Sequence, residues 1–198
     1  MEIIYFKEID STQKYLLNNL KSNICIWSDY QTNGIGSRGR DWKGVRGNLF
    51  FSFSLKKPDN IPIQSLSIYY MYQLKQLLNS YGSKVKFKWP NDLYLKNKVG
   101  GIITNLKNGI IIVGIGLNTK YANNFDKLDI EVDNKIVLKD YFKLISKNKS
   151  WDEIFEEYKQ EFYQTKDEFN LSKAILNEDG SITINNERIY SLRWKQKL

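Results

Sequence analysis

The sequence predicts an α+β fold: a mixed β-sheet with helices packed on one face, followed by a short β-rich C-terminal appendage. Two observations carry this. The extended runs around 49–55 and 99–117 occur in hairpin order rather than in regular strand–helix–strand alternation, and stretches with apolar residues at helical spacing lie between and after them. Beyond about residue 170 only short apolar–polar alternations remain, too few residues to fold alone. The expected division is a main domain over 1–170 and a reduced β-rich segment over 171–198.

Taken in order, Ile3-Ile4-Tyr5-Phe6 reads as a strand, and Asp10-Ser11-Thr12 supplies N-cap side chains for a helix carrying Tyr15, Leu16, Leu17 and Leu20. Ile24 to Trp27 is the next strand. Asn48 to Leu55 is another, with Ser52 and Ser54 on one face and phenylalanines on the other. After Pro58 and Pro62, Leu66, Tyr69, Tyr70, Leu74, Leu77 and Leu78 recur at helical spacing until Gly82. Val85 to Trp89 is a strand halted by Pro90. The β-branched runs 99–106 and 110–117 form a hairpin around Lys107-Asn108-Gly109, and these two strands are expected to sit centrally. Helices are expected near Leu138–Ser146 and from Trp151 to about Phe169, the second opened by a Ser150/Glu153 capping box. Two or three small strands then occupy Lys173 to Leu192.

Composition removes several chemistries. The 198 residues contain no histidine, which excludes Ser-His-Asp and Cys-His hydrolases, histidine general bases and histidine zinc sites. The one cysteine, Cys25, cannot form an internal disulfide and reads as a buried small hydrophobe. No apolar run is long enough to span a membrane, and no charged-then-apolar start is present, so the cytoplasm is the default. A formal charge of +8 favours anionic partners without choosing among them.

Two stretches carry the chemistry. Asp29 to Gly47 holds five of the chain's twelve glycines, interleaved with Arg38, Arg40, Lys43 and Arg46, donors suited to phosphate or carboxylate. It reads as a ligand loop, mobile by itself because it buries no apolar face. Within it, Gly34-Ile35-Gly36-Ser37-Arg38-Gly39 matches the dinucleotide pattern G-x-G-x-x-G. Residues 40–48, directly after the pattern, have no helical period, so the helix needed to hold a pyrophosphate is missing. The second stretch, Lys88-Trp89-Pro90-Asn91-Asp92, presents an ammonium, an amide and a carboxylate around a proline turn. Gly100-Gly101 and Gly114-x-Gly116 leave bare backbone beside strands, which suggests a narrow slot for a ligand.

These segments, read together, resemble the biotin protein ligases. The resemblance rests on Asp10-Ser11-Thr12, Gln31 with the Gly/Arg loop ending in Arg40-x-Trp42, Asn48-Leu49, Lys88-Trp89-Pro90-Asn91-Asp92, Lys98-Val99-x-Gly101-Ile102 and Gly114-Ile115-Gly116-Leu117-Asn118. They stand in family order and cover about residues 3–120. The start lies directly at the catalytic strand, so the type expected is the catalytic domain alone, without the winged-helix DNA-binding domain some members carry.

The resemblance implies a fold like that of class II aminoacyl-tRNA synthetases and biotin ligases, and an ATP-dependent ligase acting in two half-reactions. Biotin is activated as biotinyl-5'-AMP and then passed to one lysine of a biotin carrier protein, such as the acetyl-CoA carboxylase carrier subunit. It implies Ser11, Thr12 and Gln31 at biotin's ureido end, with Gly34, Gly36, Gly101 and Gly116 along the biotin slot. Lys88 and Arg40 are implied as catalytic, Lys88 between the biotin carboxylate and the α-phosphate. Arg38, Arg40, Trp42, Asn91, Asp92 and Asn118 are implied at ATP, with Trp42 stacked on adenine and Asp92 and Asn118 near Mg²⁺. The partner implied is a carrier domain, with no DNA and no membrane, the enzyme being a monomer or homodimer. Two departures stand out: Ile35 and Ser37 occupy positions where the family usually has arginine, with Arg38 one place further on, and the carboxy-terminal small domain is shortened. The competing readings are a lipoate ligase or octanoyltransferase, a catalytically dead biotin sensor, and a basic nucleic-acid-binding module. The last would show salt-sensitive DNA or RNA binding.

Overall fold

A computed structural model of the chain describes residues 1–123 and 125–190. The final part of the strand-rich tail expected up to Leu192 therefore lies outside the described residues. The core element is a seven-stranded sheet formed by β1 (Glu2–Phe6), β2 (Ile24–Ser28), β5 (Leu49–Lys56), β6 (Lys86–Lys88), β7 (Asp92–Tyr94), β8 (Lys98–Lys107) and β9 (Ile110–Leu117). Its order is β1-β2-β5-β9-β8-β7-β6. Only β1 and β2 are parallel; every other pair is antiparallel, so the sheet is mixed as expected. The β8–β9 hairpin is central. Its turn takes positive φ at both Asn108 (50°) and Gly109 (74°), the backbone that matches the twist of paired strands.

Alternation along the strands builds two unequal layers. Cys25, Leu49, Phe51, Phe53, Ile111, Val113 and Ile115 point into the main core, where α2 (Leu66–Ser80), α3 (Asn134–Ile145) and α4 (Trp151–Thr165) cover one face. Burial pushes the Cys25 thiol up, in keeping with a packing role. The short α1 (Thr12–Asn18) lies on the opposite face, packing Leu16 over Ile24, Ile26 and Ile112. Phe50 also sits on this second face rather than with the other phenylalanines, because it shares the parity of Ser52 and Ser54. A Cβ on Gly44 would stand 2.3 Å from its ring.

Helix ends are set by their caps. Asp133 accepts from the backbone N–H groups of Lys135 and Ile136 and starts α3 earlier than the apolar period alone suggests. The Ser150/Glu153 capping box opens α4 as expected, but the helix stops at Thr165 and the chain turns through Asn170, whose φ is 59°. The tail forms a three-stranded sheet of β10 (Ile175–Leu176), β11 (Ile182–Ile184) and β12 (Glu187–Ile189). Leu176, Ile182, Ile184 and Ile189 join the main core. Trp89 Nε1 donates to the Gly180 carbonyl at 2.8 Å and Trp151 Nε1 to the Glu178 carbonyl at 2.8 Å, which pins the 177–181 turn to the body. Among the described residues no helix is long and apolar enough to cross a membrane.

Candidate active site

The glycine- and arginine-rich stretch is not a shapeless loop. Gly34–Ile35 (β3) pairs antiparallel with Asp41–Trp42 (β4), and a short 3₁₀ turn, Ser37–Gly39, joins them. The tip uses positive φ at Arg38 (61°) and Gly39 (70°), and Gly36 N–H donates to the Arg40 carbonyl at 2.6 Å. No helix comes after the glycines, so the dinucleotide reading has no structural counterpart here. The ribbon owes its order to tertiary contact: Trp42 lies on the sheet where Gly116 has no side chain. A Cβ built there would stand 2.6 Å from the indole, so only glycine allows the approach.

Between ribbon, α1 and sheet lies a cavity of about 280 Å³. At one end Thr12 N–H and Oγ1 donate to Gln31 Oε1 at 2.8 and 3.1 Å, and Thr12 Oγ1 meets Ser52 Oγ at 2.8 Å. At the other, Lys98 Nζ stands 2.6 Å from Asp92 Oδ1 and 5.1 Å from the centre of the Trp42 ring. Arg40 lines the same wall, its guanidinium resting on Ser37 Oγ at 3.0 Å. Trp42 Nε1–H is buried with no acceptor among the described residues, a donor that a ligand can satisfy.

The strand register explains this convergence. Asp92 pairs with Gly101, which pairs with Gly116, so carboxylate and bare backbone share one face. A shift in register between Leu93 and Tyr94 brings Lys98 back towards Asp92. Asn91 Nδ2 donates to the Ile102 carbonyl at 3.0 Å, tying the proline turn to β8. Asn118 closes the far side. Its N–H donates to the Val99 carbonyl at 2.9 Å, and its Nδ2 donates to the Asp126 carbonyl at 3.1 Å.

Of the residues expected from sequence, the cavity wall brings together Thr12, Gln31, Gly36, Arg40, Trp42, Asn91, Asp92, Gly101, Gly116 and Asn118. Four are elsewhere. Ser11 is fully buried as the N-cap of α1, its Oγ accepting from Lys14 N–H at 3.3 Å. Gly34 lies behind the wall, giving room to Gln31 Nε2, which stands 2.9 Å from where its Cβ would be. Arg38 occupies the ribbon tip.

The main correction concerns Lys88. It does not line the cavity; its ammonium sits 4.3 Å from the Tyr94 ring centre and 5.4 Å from that of Phe169. The cavity ammonium is that of Lys98. Lys88 and Lys98 are both strand lysines beside a motif, and sequence spacing does not reveal which one the register turns inward. The legible signal was Lys98 standing three residues before Gly101. Ser52, Gln13 and Gly114 are further wall residues not assigned from sequence.

A metal site can be judged from the donors. Among the described residues no group of three or more acidic, cysteine or histidine side chains could hold an ion alone. Asp92 and Asn118 nonetheless bring one carboxylate and one amide to the same wall. That sparse oxygen set fits Mg²⁺, which keeps several waters and takes further ligands from substrate phosphates.

The sequence profile described as the Biotin/lipoate A/B protein ligase family matches residues 5–120, and the chain belongs to that family. Among solved structures, it is similar to the biotin acetyl coenzyme A carboxylase synthetase of Helicobacter pylori, with bound biotinylated ATP. The match has 34% identity and a TM-score of 0.88, and covers 95% of this chain and 98% of that one. The biotin protein ligase of Aquifex aeolicus, in complex with biotin and ATP, matches at 26% identity and a TM-score of 0.69 over 96% of each chain. Among curated proteins, the bifunctional ligase/repressor BirA of Escherichia coli is 39% identical over 123 residues. That match covers 56% of this chain and 38% of BirA, so the chain spans well under half the length of this relative.

Proposed function

We propose that the chain is a biotin protein ligase: it activates biotin with ATP as biotinyl-5'-AMP and transfers the biotinyl group to a lysine of a biotin carrier protein. The observation that carries this is the cavity in which the Thr12–Gln31 pair and the Lys98–Asp92–Arg40–Trp42 group face one another. A polar end that discriminates by hydrogen bonds is joined to a cationic end that suits a carboxylate and a phosphate. The H. pylori and A. aeolicus relatives, crystallised with biotinylated ATP and with biotin plus ATP, support the assignment.

In the first half-reaction a carboxylate oxygen of biotin attacks the α-phosphorus of ATP and pyrophosphate leaves. Negative charge gathers where carboxylate and α-phosphate meet, and Lys98 is the cation placed to stabilise it. Two unit charges about 4 Å apart attract by about 4 kcal/mol at an effective dielectric near 20. Arg40 holds phosphate oxygens from the ribbon side, and the Trp42 face takes the adenine. Mg²⁺ would be held by Asp92 and Asn118 and would neutralise phosphate charge. The ribbon excludes water from the mixed anhydride. In the second half-reaction the ε-amine of a carrier lysine attacks the acyl carbon and AMP leaves. The carrier domain is the partner in this reading, and the setting is cytoplasmic.

The test is pyrophosphate release from Mg²⁺-ATP with biotin, lipoate, octanoate or no acid. Release with biotin alone supports the assignment. Release with lipoate or octanoate instead would transfer it to a different acyl substrate, and no release with any acid would leave the sensor or nucleic-acid readings.

A further inference from the structure

The inner end of the cavity has a fixed hydrogen-bond polarity. Gln31 Oε1 accepts from the Thr12 backbone N–H, so the Gln31 amide has one orientation and its Nε2 is the donor left over. The Thr12 hydroxyl lies 3.1 Å from the same Oε1, which can only accept, so that hydroxyl donates to it. The Ser52 hydroxyl, 2.8 Å from Thr12 Oγ1, donates in turn. Ser52 Oγ therefore keeps its lone pairs for another partner.

Gln13 is locked in the same way. Its Nε2 donates to the Ile112 carbonyl at 3.3 Å and to Asn105 Oδ1 at 2.9 Å, and a backbone carbonyl can only accept. Its Oε1 is buried with no donor among the described residues, in a side chain that lines the cavity and is 2% exposed. A Cβ on Gly114 would stand 2.4 Å from this oxygen and 3.1 Å from Ser52 Oγ, so the missing side chain leaves a space that both acceptors border. A buried acceptor without a donor is costly, and the protein supplies none.

We propose that Gln13 Oε1 is a specificity-determining acceptor for one N–H of biotin's ureido ring, with Ser52 Oγ accepting the other and Gln31 Nε2 donating to the ureido carbonyl. The proposal rests on the biotin reading and deepens it. One donor beside two acceptors is the complement of a cyclic urea, which offers one carbonyl and two N–H groups. A dithiolane or a plain alkyl chain has no N–H, and would leave Gln13 and Ser52 buried and unpaired. Discrimination built on buried polar groups is far stronger than fit to an apolar wall.

The experiment measures binding to the intact protein by calorimetry. The ligands are biotin and two isosteric analogues, each with one ureido N–H replaced by CH₂. Each replacement is expected to weaken binding to the wild type by about tenfold or more. Gln13→Leu is expected to weaken biotin to a similar degree and to bind one of the two analogues as well as it binds biotin, with the KM for ATP unchanged. A folded Gln13→Leu protein that binds biotin like the wild type, or that still discriminates against both analogues, overturns the proposal and leaves the biotin reading standing. If that variant does not fold, the wild type decides: equal affinity for biotin and both analogues overturns the proposal, and discrimination against both supports it. A wild type that binds no biotin overturns the proposal and the biotin reading together.

Discussion

Lys98 Nζ stands 2.6 Å from Asp92 Oδ1, although the two residues enter the cavity from different strands. Both side chains are largely buried. The carboxylate keeps the ammonium in place, so the cation is oriented before any ligand arrives. That is the condition under which electrostatic stabilisation of a developing charge is most effective.

Replacing this cation is expected to stop the first half-reaction. Lys98→Ala should lower biotin-dependent pyrophosphate release by about a hundredfold or more, the range seen when one preorganised donor is removed. Lys88→Ala should stay within about threefold of wild type, since it loses only an exposed cation–π contact of about 0.5–1 kcal/mol. Parallel initial-rate assays separate the two. The reverse ranking would return the catalytic role to Lys88.

The contact between Trp42 and Gly116 sets the height of the ribbon above the sheet. In Gly116→Ala the new methyl occupies the indole's place, so β4 must lift. A small misplacement of groups near the chemistry can reduce activity by about a hundredfold, and we expect a loss of about ten- to a hundredfold in kcat/KM for ATP. The circular dichroism spectrum should not change, because β9 itself is undisturbed. Wild-type kinetics in this variant would mean that the ribbon does not need Trp42 in that position.

Trp89 contributes to stability rather than chemistry. Its ring is buried in the core and its Nε1–H has one acceptor, the Gly180 carbonyl. Trp89→Phe should cost about 1–3 kcal/mol by leaving that carbonyl without its donor. At about 2–4 °C per kcal/mol for a chain of this size, thermal unfolding should fall by several degrees. Calorimetry would show it, and an unchanged Tm would remove the indole from the account of how the tail is held.

Acid should weaken the same region. Burial alone would raise the Asp179 carboxyl, but hydrogen bonds from Ser181, Arg188 and Gln64 outweigh it and hold the group at about 2, against an ordinary 3.8. As pH falls, the unfolded chain takes up this proton first. The contribution to stability is therefore complete above about pH 4, shrinks as pH drops further, and is gone below about 2. Urea unfolding of wild type and Asp179→Asn should differ most near neutrality and converge near pH 2. A difference that does not change with pH would separate the effect from ionisation.

The sequence by itself determined what local physics encodes. Alternation in 49–56 and 98–117, the Asn108-Gly109 turn, the Ser11 and Ser150 caps and the clustered glycines are each legible within about ten residues, because backbone preference and apolar period act over that range. The family motifs likewise named most of the cavity wall. Tertiary structure decided the rest. Whether Lys88 or Lys98 faces the ligand depends on a register shift between β7 and β8, since moving a strand by one residue turns every side chain to the other face. That Ser11 caps a helix while Gln13 and Ser52 present acceptors depends on which neighbours satisfy their polar atoms, and those neighbours are Thr12, Gln31, Asn105 and Ile112. Likewise, the Gly/Arg stretch is ordered only because Trp42 meets Gly116, more than seventy positions away in the chain and adjacent only after the sheet has formed.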